Sequence, residues 1–147
     1  MLSNTCNYAL RAVVYLAMKE KENVRTGIKQ ISEELKIPSP FLGKIMQILA
    51  KNKILVSSKG PHGGFSLGRD ANDIYILDIV KVIEGTEIFE KCFIGLEVCK
   101  TDASHKDLCP FHKKSGPVRD SLFELFSQQS IGHLAEELNK LPENYSI

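Results

Sequence analysis

No apolar run in this chain approaches the roughly 18 residues that a membrane-spanning helix requires, so no membrane partner is expected. Its first residues lack the basic stretch, apolar centre and small-residue cleavage site of an export signal, which makes the cytoplasm the expected location. No serine–histidine–aspartate set and no paired carboxylates stand out, so neither an enzyme nor a small-molecule substrate is expected. The glycine-rich turn at 59–64 lacks the Gly-Lys-Ser/Thr ending of a nucleotide-binding loop. Internal repeats and low-complexity tracts are missing as well. Net charge is nearly missing too: it is +1 for the whole chain, too little by itself to mark a nucleic-acid binder. Cysteine is sparse, four in 147 residues, and without an export signal reduced thiols are expected rather than a disulfide framework.

What is present is unevenly distributed. The length suits about one domain with a real core. Residues 1–70 hold 11 Lys+Arg against 5 Asp+Glu, a balance of +6, and the remainder holds 8 against 13, a balance of −5. A basic first half suits a polyanion, because Lys and Arg neutralise phosphates and release counterions. The acidic half would then sense or assemble. Three of the four cysteines and two of the four histidines fall within 21 residues, as Cys92-x6-Cys99-x9-Cys109-x2-His112. Thiolates plus an imidazole suit a zinc ion or an iron–sulfur cluster, both of which favour S and N donors over carboxylates. Gly95, Thr101, Asp102, Ser104, Asp107 and Pro110 give this stretch the composition of a loop. A loop this long inside a compact domain either binds something or is disordered.

Before it, apolar spacing predicts three helices. The first carries Leu10, Val13, Val14 and Ala17, with Tyr8, Leu16 and Met18 widening the stripe and Ser3 or Thr5 as its cap. Cys6 sits at its beginning, as a small helix-start side chain or a ligand. The second runs from Ile28 to about Lys36 and ends before Ile37-Pro38, since the residue before proline leaves the α region. The third extends to about Lys51, with Ser39 as N-cap, Pro40 in the first turn and Phe41, Leu42, Ile45, Ile48 and Leu49 as its apolar stripe. Ser39, Gly43, Lys44 and Gln47 fall on its outward positions, where Lys44 and Gln47 can reach base edges or phosphates. Residues 54–58 and 65–67 predict strands joined by Lys59-Gly60-Pro61-His62-Gly63-Gly64, a β-hairpin directly after a helix-turn-helix. That order is a winged helix, whose turn glycines leave backbone N–H groups open to a phosphate. His62 reads as a solvated tip residue or a polar contact. Further helices are predicted over 74–84, with Ile76, Ile79, Val80 and Ile83 inward and Gly85 as terminator, over about 113–127, and from Ser130 to Lys140. The helix at 113–127 carries Val118, Leu122, Leu125 and Phe126, with Phe123 beside them. This surface fits either a subunit interface or the domain's own core.

The run Ser39-Pro-Phe-Leu-Gly-Lys, the wing string Ile54-Leu-Val-Ser-Ser-Lys-Gly-Pro-His-Gly-Gly-Phe-Ser-Leu67, and Tyr8-Ala-Leu-Arg11 with Leu16-Ala17 resemble the Rrf-two family of bacterial regulators over nearly the whole chain. The resemblance implies a homodimeric, DNA-binding transcription regulator that is mainly α with a small β-hairpin wing (α+β). Its winged helix-turn-helix domain would span 1–84, a cluster-binding loop 85–112, and a dimerisation helix with a C-terminal helix 113–147. It further implies a 2Fe–2S iron–sulfur cluster on Cys92, Cys99 and Cys109. His112 matches the fourth ligand of the family's cluster-assembly branch. Cys6 lies near where the nitric-oxide-sensing branch takes a ligand from its first helix, and His105 is a remoter option. The gap between Cys99 and Cys109 is longer than in the assembly branch, and Gly43 stands where that branch is acidic, so its DNA specificity does not carry over. Ser39, Phe41, Ser58, Lys59, Gly60, His62 and Gly63 are expected to position an inverted-repeat duplex. A zinc site or a cluster-free thiol sensor remains the chemical alternative. An iron–sulfur carrier would explain the cysteines and leave the wing without purpose.

Overall fold

The computed structural model describes residues 2–20, 25–90, 94 and 110–142. Helix α1 (Asn4–Lys19) starts where the Ser3 side chain accepts from the Cys6 backbone N–H at 3.2 Å, which satisfies one of the donors a helix start leaves unpaired. Small and branched side chains bury it on several faces, among them Ala9, Ala12, Val13 and Leu16. Most of the other helices pack against it. Helix α2 (Ile28–Leu35) buries Ile31 and Leu35, four residues apart. Arg11 of α1 donates to the Leu35 carbonyl at 2.7 Å, so a guanidinium caps the C-terminus of α2 and ties it to the central helix.

Helix α3 (Ser39–Lys51) follows a turn in which Lys36 takes a left-handed conformation and Ile37 is buried. Ser39 is not its cap: Pro38 holds the cap position, and Ser39 and Pro40 form the first turn. The correction has a simple cause, since proline's fixed φ and missing N–H cost nothing at a helix entrance. Leu42, Ile45, Met46 and Leu49 are buried. Each contributes on the order of 1.5–3 kcal/mol by leaving water, and together they fix which face of α3 turns outward.

Strands β1 (Leu55–Ser58) and β2 (Gly64–Leu67) form an antiparallel hairpin with Leu55 opposite Leu67 and Ser58 opposite Gly64. Thr26 exchanges both backbone hydrogen bonds with Phe65, at 3.0 and 2.9 Å, and so pins the hairpin to the start of the helix pair. At Gly64, with φ 153°, a side chain would press on the Thr26 carbonyl, so this close approach requires glycine. Gly60 at the tip also takes positive φ, 106°, whereas Gly63 does not.

A 3-10 turn (Ala71–Asp73) leads to α4 (Ile76–Ile83), which buries Leu77, Ile79 and Val80, while Ile76 and Ile83 are half-buried. Asp78 accepts from the Tyr75 backbone N–H at 3.0 Å and pairs with Arg69 at 2.7 Å, closing the start of α4. Gly85, with φ 78°, follows its end. After a second 3-10 turn (Glu87–Phe89), helix α5 runs from Pro110 to Gln128 with Pro117 inside it. Helix α6 (Ile131–Leu138) is capped by Ser130 and packs on α1. The Ile131 N–H donates to the Ile74 carbonyl at 2.7 Å and the Ile76 N–H to the Gln129 carbonyl at 3.1 Å, which fixes the α5–α6 junction against the entrance of α4. Among the described residues the architecture is mainly helical with one small hairpin, as expected.

Candidate nucleic-acid interface and metal-ligand segment

Once the inner face of α3 is buried, Pro40, Phe41, Lys44, Gln47, Ile48 and Lys51 stand exposed on the other side. Their spacing, i, i+1, i+4, i+7, i+8 and i+11, makes one stripe. Lys44 and Gln47 therefore lie where a groove-inserted helix presents hydrogen-bonding groups. Ser39 and Gly43 are half-buried at its edges. On the hairpin, Lys59, Gly60 and His62 are exposed and Gly63 is half-buried. Ser58 differs: its hydroxyl oxygen is buried and makes no hydrogen bond among the described residues. Three lysines, Lys44 and Lys51 on the exposed helix face and Lys59 on the wing turn, thus stand in the basic half of the chain.

The proposed ligands divide. Cys92, Cys99, Cys109 and His105 lie outside the described residues. His112 is described, and it sits inside the first turns of α5 rather than in a loop. Its Nε2 is 3.0 Å from a terminal guanidinium nitrogen of Arg119, two helical turns on. Arginine only donates, so that ring nitrogen accepts, and a neutral ring then carries its proton on Nδ1. Arg119 is itself buried and also donates to Ser115 Oγ at 3.0 Å, while Ser115 donates to the His112 carbonyl at 3.1 Å. A metal can take Nε2 only if Arg119 withdraws, or Nδ1 only if its proton leaves.

Cys6 is fully buried, and burial, reinforced by the nearby Glu84 carboxylate, pushes its thiol up to about 12. Ligation needs the thiolate, which this environment strongly disfavours. Among the described residues, no three histidine, cysteine or carboxylate side chains converge on a metal position.

The expected interface stripe on α5 splits in two. Val118 and Leu125 are 61% and 58% exposed, with Phe111 one further step of seven residues back along the same line. Leu122 and Phe126 are half-buried. Phe126 and Phe123 flank Phe89 edge-to-face, with ring centroids 6.1 and 5.2 Å away, and Lys81 lies 5.8 Å above the Phe123 ring. Phe89 therefore anchors the end of the 3-10 turn after α4 onto α5. No helix among the described residues is long and apolar enough to cross a membrane.

Residues 2–137 match the family model Rrf2, described as Iron-dependent Transcriptional regulator. The chain belongs to the Rrf2 family. An HTH-type protein of Aquifex aeolicus is 33% identical over 134 residues, 91% of this chain and 90% of that one. The HTH-type transcriptional regulator IscR of Xenorhabdus nematophila is 29% identical over 112 residues, 73% of this chain and 68% of its own. The structure of CymR, the global cysteine regulator of B. subtilis, superimposes with a TM-score of 0.74 at 23% identity, covering 93% of this chain and 97% of that one. That likeness establishes the Rrf2 fold, a winged helix. Rrf2 proteins are transcriptional regulators, and this chain is one of them.

Sequence reasoning missed three residues of this site. Arg119 was invisible because a charged residue on a helix is ordinarily solvated. The spacing His112, Ser115, Arg119 would have found it had the helix been started at Pro110. Phe89 lies in a short segment without periodicity. Ile48 was placed in the apolar stripe, yet it stands outside it.

Proposed function

We propose that this Rrf2 protein is a homodimeric, sequence-specific DNA-binding regulator whose affinity depends on an iron–sulfur cluster held by Cys92, Cys99, Cys109 and His112. Helix α3 enters the major groove with Lys44 and Gln47 toward base edges. Lys59, Gly60 and His62 of the wing approach the backbone or minor groove. Two copies related by a two-fold axis read an inverted repeat with half-sites about one helical turn apart. The observation that carries this reading is the exposed face of α3, held outward by four buried side chains within the half of the chain whose balance is +6.

Three thiols and an imidazole are a donor set that fits a 2Fe–2S cluster, and the family's iron dependence supports that choice. Such a group, when bound, supplies redox-sensitive and protonation-sensitive ligation. His112 is the better fourth donor, because the Cys6 thiol is buried and held neutral. The segment carrying the cysteines runs from the Phe89 anchor to His112, and both ends bear on α5. Holding or releasing that segment would therefore act on α5, whose Val118 and Leu125 seam is the proposed subunit contact, with Leu122 and Phe126 at its margin. A cluster-free or zinc-binding thiol regulator is the second reading, and its cluster-free, metal-free form is favoured by the Nε2 of His112 being already engaged by Arg119.

The test is duplex binding by anaerobically prepared protein, with and without its metal, across a salt series, beside iron and sulfide analysis. Sequence-preferring binding that falls with salt and differs between the two forms is expected, with visible absorption lost in Cys92→Ala, Cys99→Ala and Cys109→Ala. No sequence preference in either form would overturn the regulator reading. A colourless protein with stoichiometric zinc would overturn the cluster. Lys44→Ala should cost on the order of 1–3 kcal/mol at a specific site, and an equal loss on all duplexes would reduce Lys44 to a phosphate contact.

A further inference from the structure

The exposed face of α3 presents more than its polar pair. Phe41, one turn before Lys44, is 50% exposed, and Ile48, one turn after it, is 43% exposed. Neither is enclosed by the core, which Leu42, Ile45, Met46 and Leu49 complete from the opposite side. The Phe41 ring is braced edge-to-face by Tyr8 of α1, with centroids 6.2 Å apart and planes at 89°, so its direction is set before any partner arrives. Two large apolar side chains flanking a lysine on a basic surface need a partner that is anionic and also carries isolated apolar groups. A second copy of this face would bring like charges together at Lys44 and Lys51. The major groove meets both requirements: the C5-methyl of thymine is the apolar group on an A·T edge there, surrounded by phosphates. Phe41 and Ile48 are seven residues apart, which on a helix is roughly 10.5 Å, or about three base steps of ~3.4 Å.

We propose that Phe41 and Ile48 read thymine methyl groups on either side of the base contacted by Lys44. The operator half-site would then carry two thymines about three steps apart, on one strand or across both. This deepens the DNA-binding reading above and rests on it.

The test uses the full chain. Binding duplexes are selected from a random pool, and each thymine of a bound half-site is then replaced by deoxyuridine, which pairs identically and lacks only the methyl. Two positions are expected to bind roughly three- to fivefold more weakly, the worth of one buried methyl group. Ile48→Ala should abolish the uracil sensitivity at one position and leave the other intact. Phe41→Ala should do the reverse. Thermal unfolding of both variants separates a lost contact from a lost fold, and the solvent position of Ile48 makes its variant the safer of the two. Equal affinity for thymine and uracil at every position, in a protein that still selects its sequence, would overturn the proposal. So would uracil sensitivity that survives both substitutions, or an Ile48→Ala variant whose oligomeric state changes while its uracil sensitivity does not. Failure of the unsubstituted protein to prefer any sequence would instead remove the DNA-binding reading itself, and this inference with it.

Discussion

In α3 the aliphatic side chains Leu42, Ile45, Met46 and Leu49 turn inward and Lys44 and Gln47 turn to solvent, whereas in α5 the buried side chains are Ser115 and Arg119 while Val118 and Leu125 stand outside. Both are amphipathic, with opposite sides buried. Helix α3 completes its core contacts within one chain, so its outward face, where Phe41 and Ile48 flank Lys44 and Gln47, is free to meet a polyanion. Helix α5 spends its inner face on a hydrogen-bonded histidine–serine–arginine set and on the Phe89 contact, and its Val118 and Leu125 line is exposed among the described residues. Phe111, Val118 and Leu125 repeat every seven residues, the spacing of a seam that pairs with another helix. One helix is finished by its own domain, and the other carries the seam proposed above for a second copy.

The sharpest way to break this contrast is to truncate an equivalent side chain in each helix. Leu49→Ala, in the core, should cost about 2–5 kcal/mol, and Leu125→Ala should cost under about 0.5 kcal/mol in protein dilute enough to be monomeric. Urea unfolding of both variants measures the difference. Equal losses would mean that α5 is as deeply packed as α3 and that the contrast fails. The complementary change, Val118→Glu with Leu125→Glu, should leave the fold intact and convert dimers to monomers in sedimentation. An unchanged dimer would move the interface away from α5.

The cysteines sharpen the same contrast from another side. Cys6 belongs to the finished part of the molecule, buried with its thiol held up to about 12 by burial and by Glu84. A raised thiol pKa favours the protonated form in the folded state. Its contribution to stability is therefore complete below the ordinary thiol value near 9 and is lost as pH rises toward about 12. Cys6 should accordingly resist thiol reagents at pH 8 in folded protein and react on unfolding, with label position read by mass spectrometry. Rapid labelling of Cys6 in the folded protein would restore it as a ligand candidate.

Much of the finished region was legible from spacing alone. The apolar residues of α1, α2 and α4 recur at helical intervals, and the glycine-rich turn between two short β-prone runs has one economical fold, a hairpin. Where legibility failed, the cause was physical. A wide stripe such as Phe41, Leu42, Ile45, Ile48 and Leu49 shows that α3 is a helix, but its two edge residues turn outward because the core is filled by the middle ones. The start of α5 was hidden because cysteine, histidine and proline carry no apolar period, and Pro110 reads as a breaker although the first turn of a helix tolerates it. The Arg119–His112 contact was hidden by the same boundary, since it exists only if both residues share one helix.

A small gain is expected in the turn between α2 and α3. Lys36 closes α2 with φ 54°, and it is exposed, with Ile37 beyond it donating back to the Ser32 carbonyl at 3.1 Å. A side chain in the left-handed region costs roughly 1–2 kcal/mol, whereas glycine avoids that strain and gives back about 0.5–1 kcal/mol through the extra freedom of its unfolded chain. Lys36→Gly should therefore stabilise the folded chain by about 0.5–1 kcal/mol, measured by urea unfolding. Because this turn sets the angle at which α3 leaves α2, the gain should appear in the unfolding of the monomer and leave the dimer dissociation constant where it was. A shift in dimer dissociation instead would show that the reader and α5 are mechanically joined, and that the boundary drawn between the finished and unfinished parts of the chain is in the wrong place.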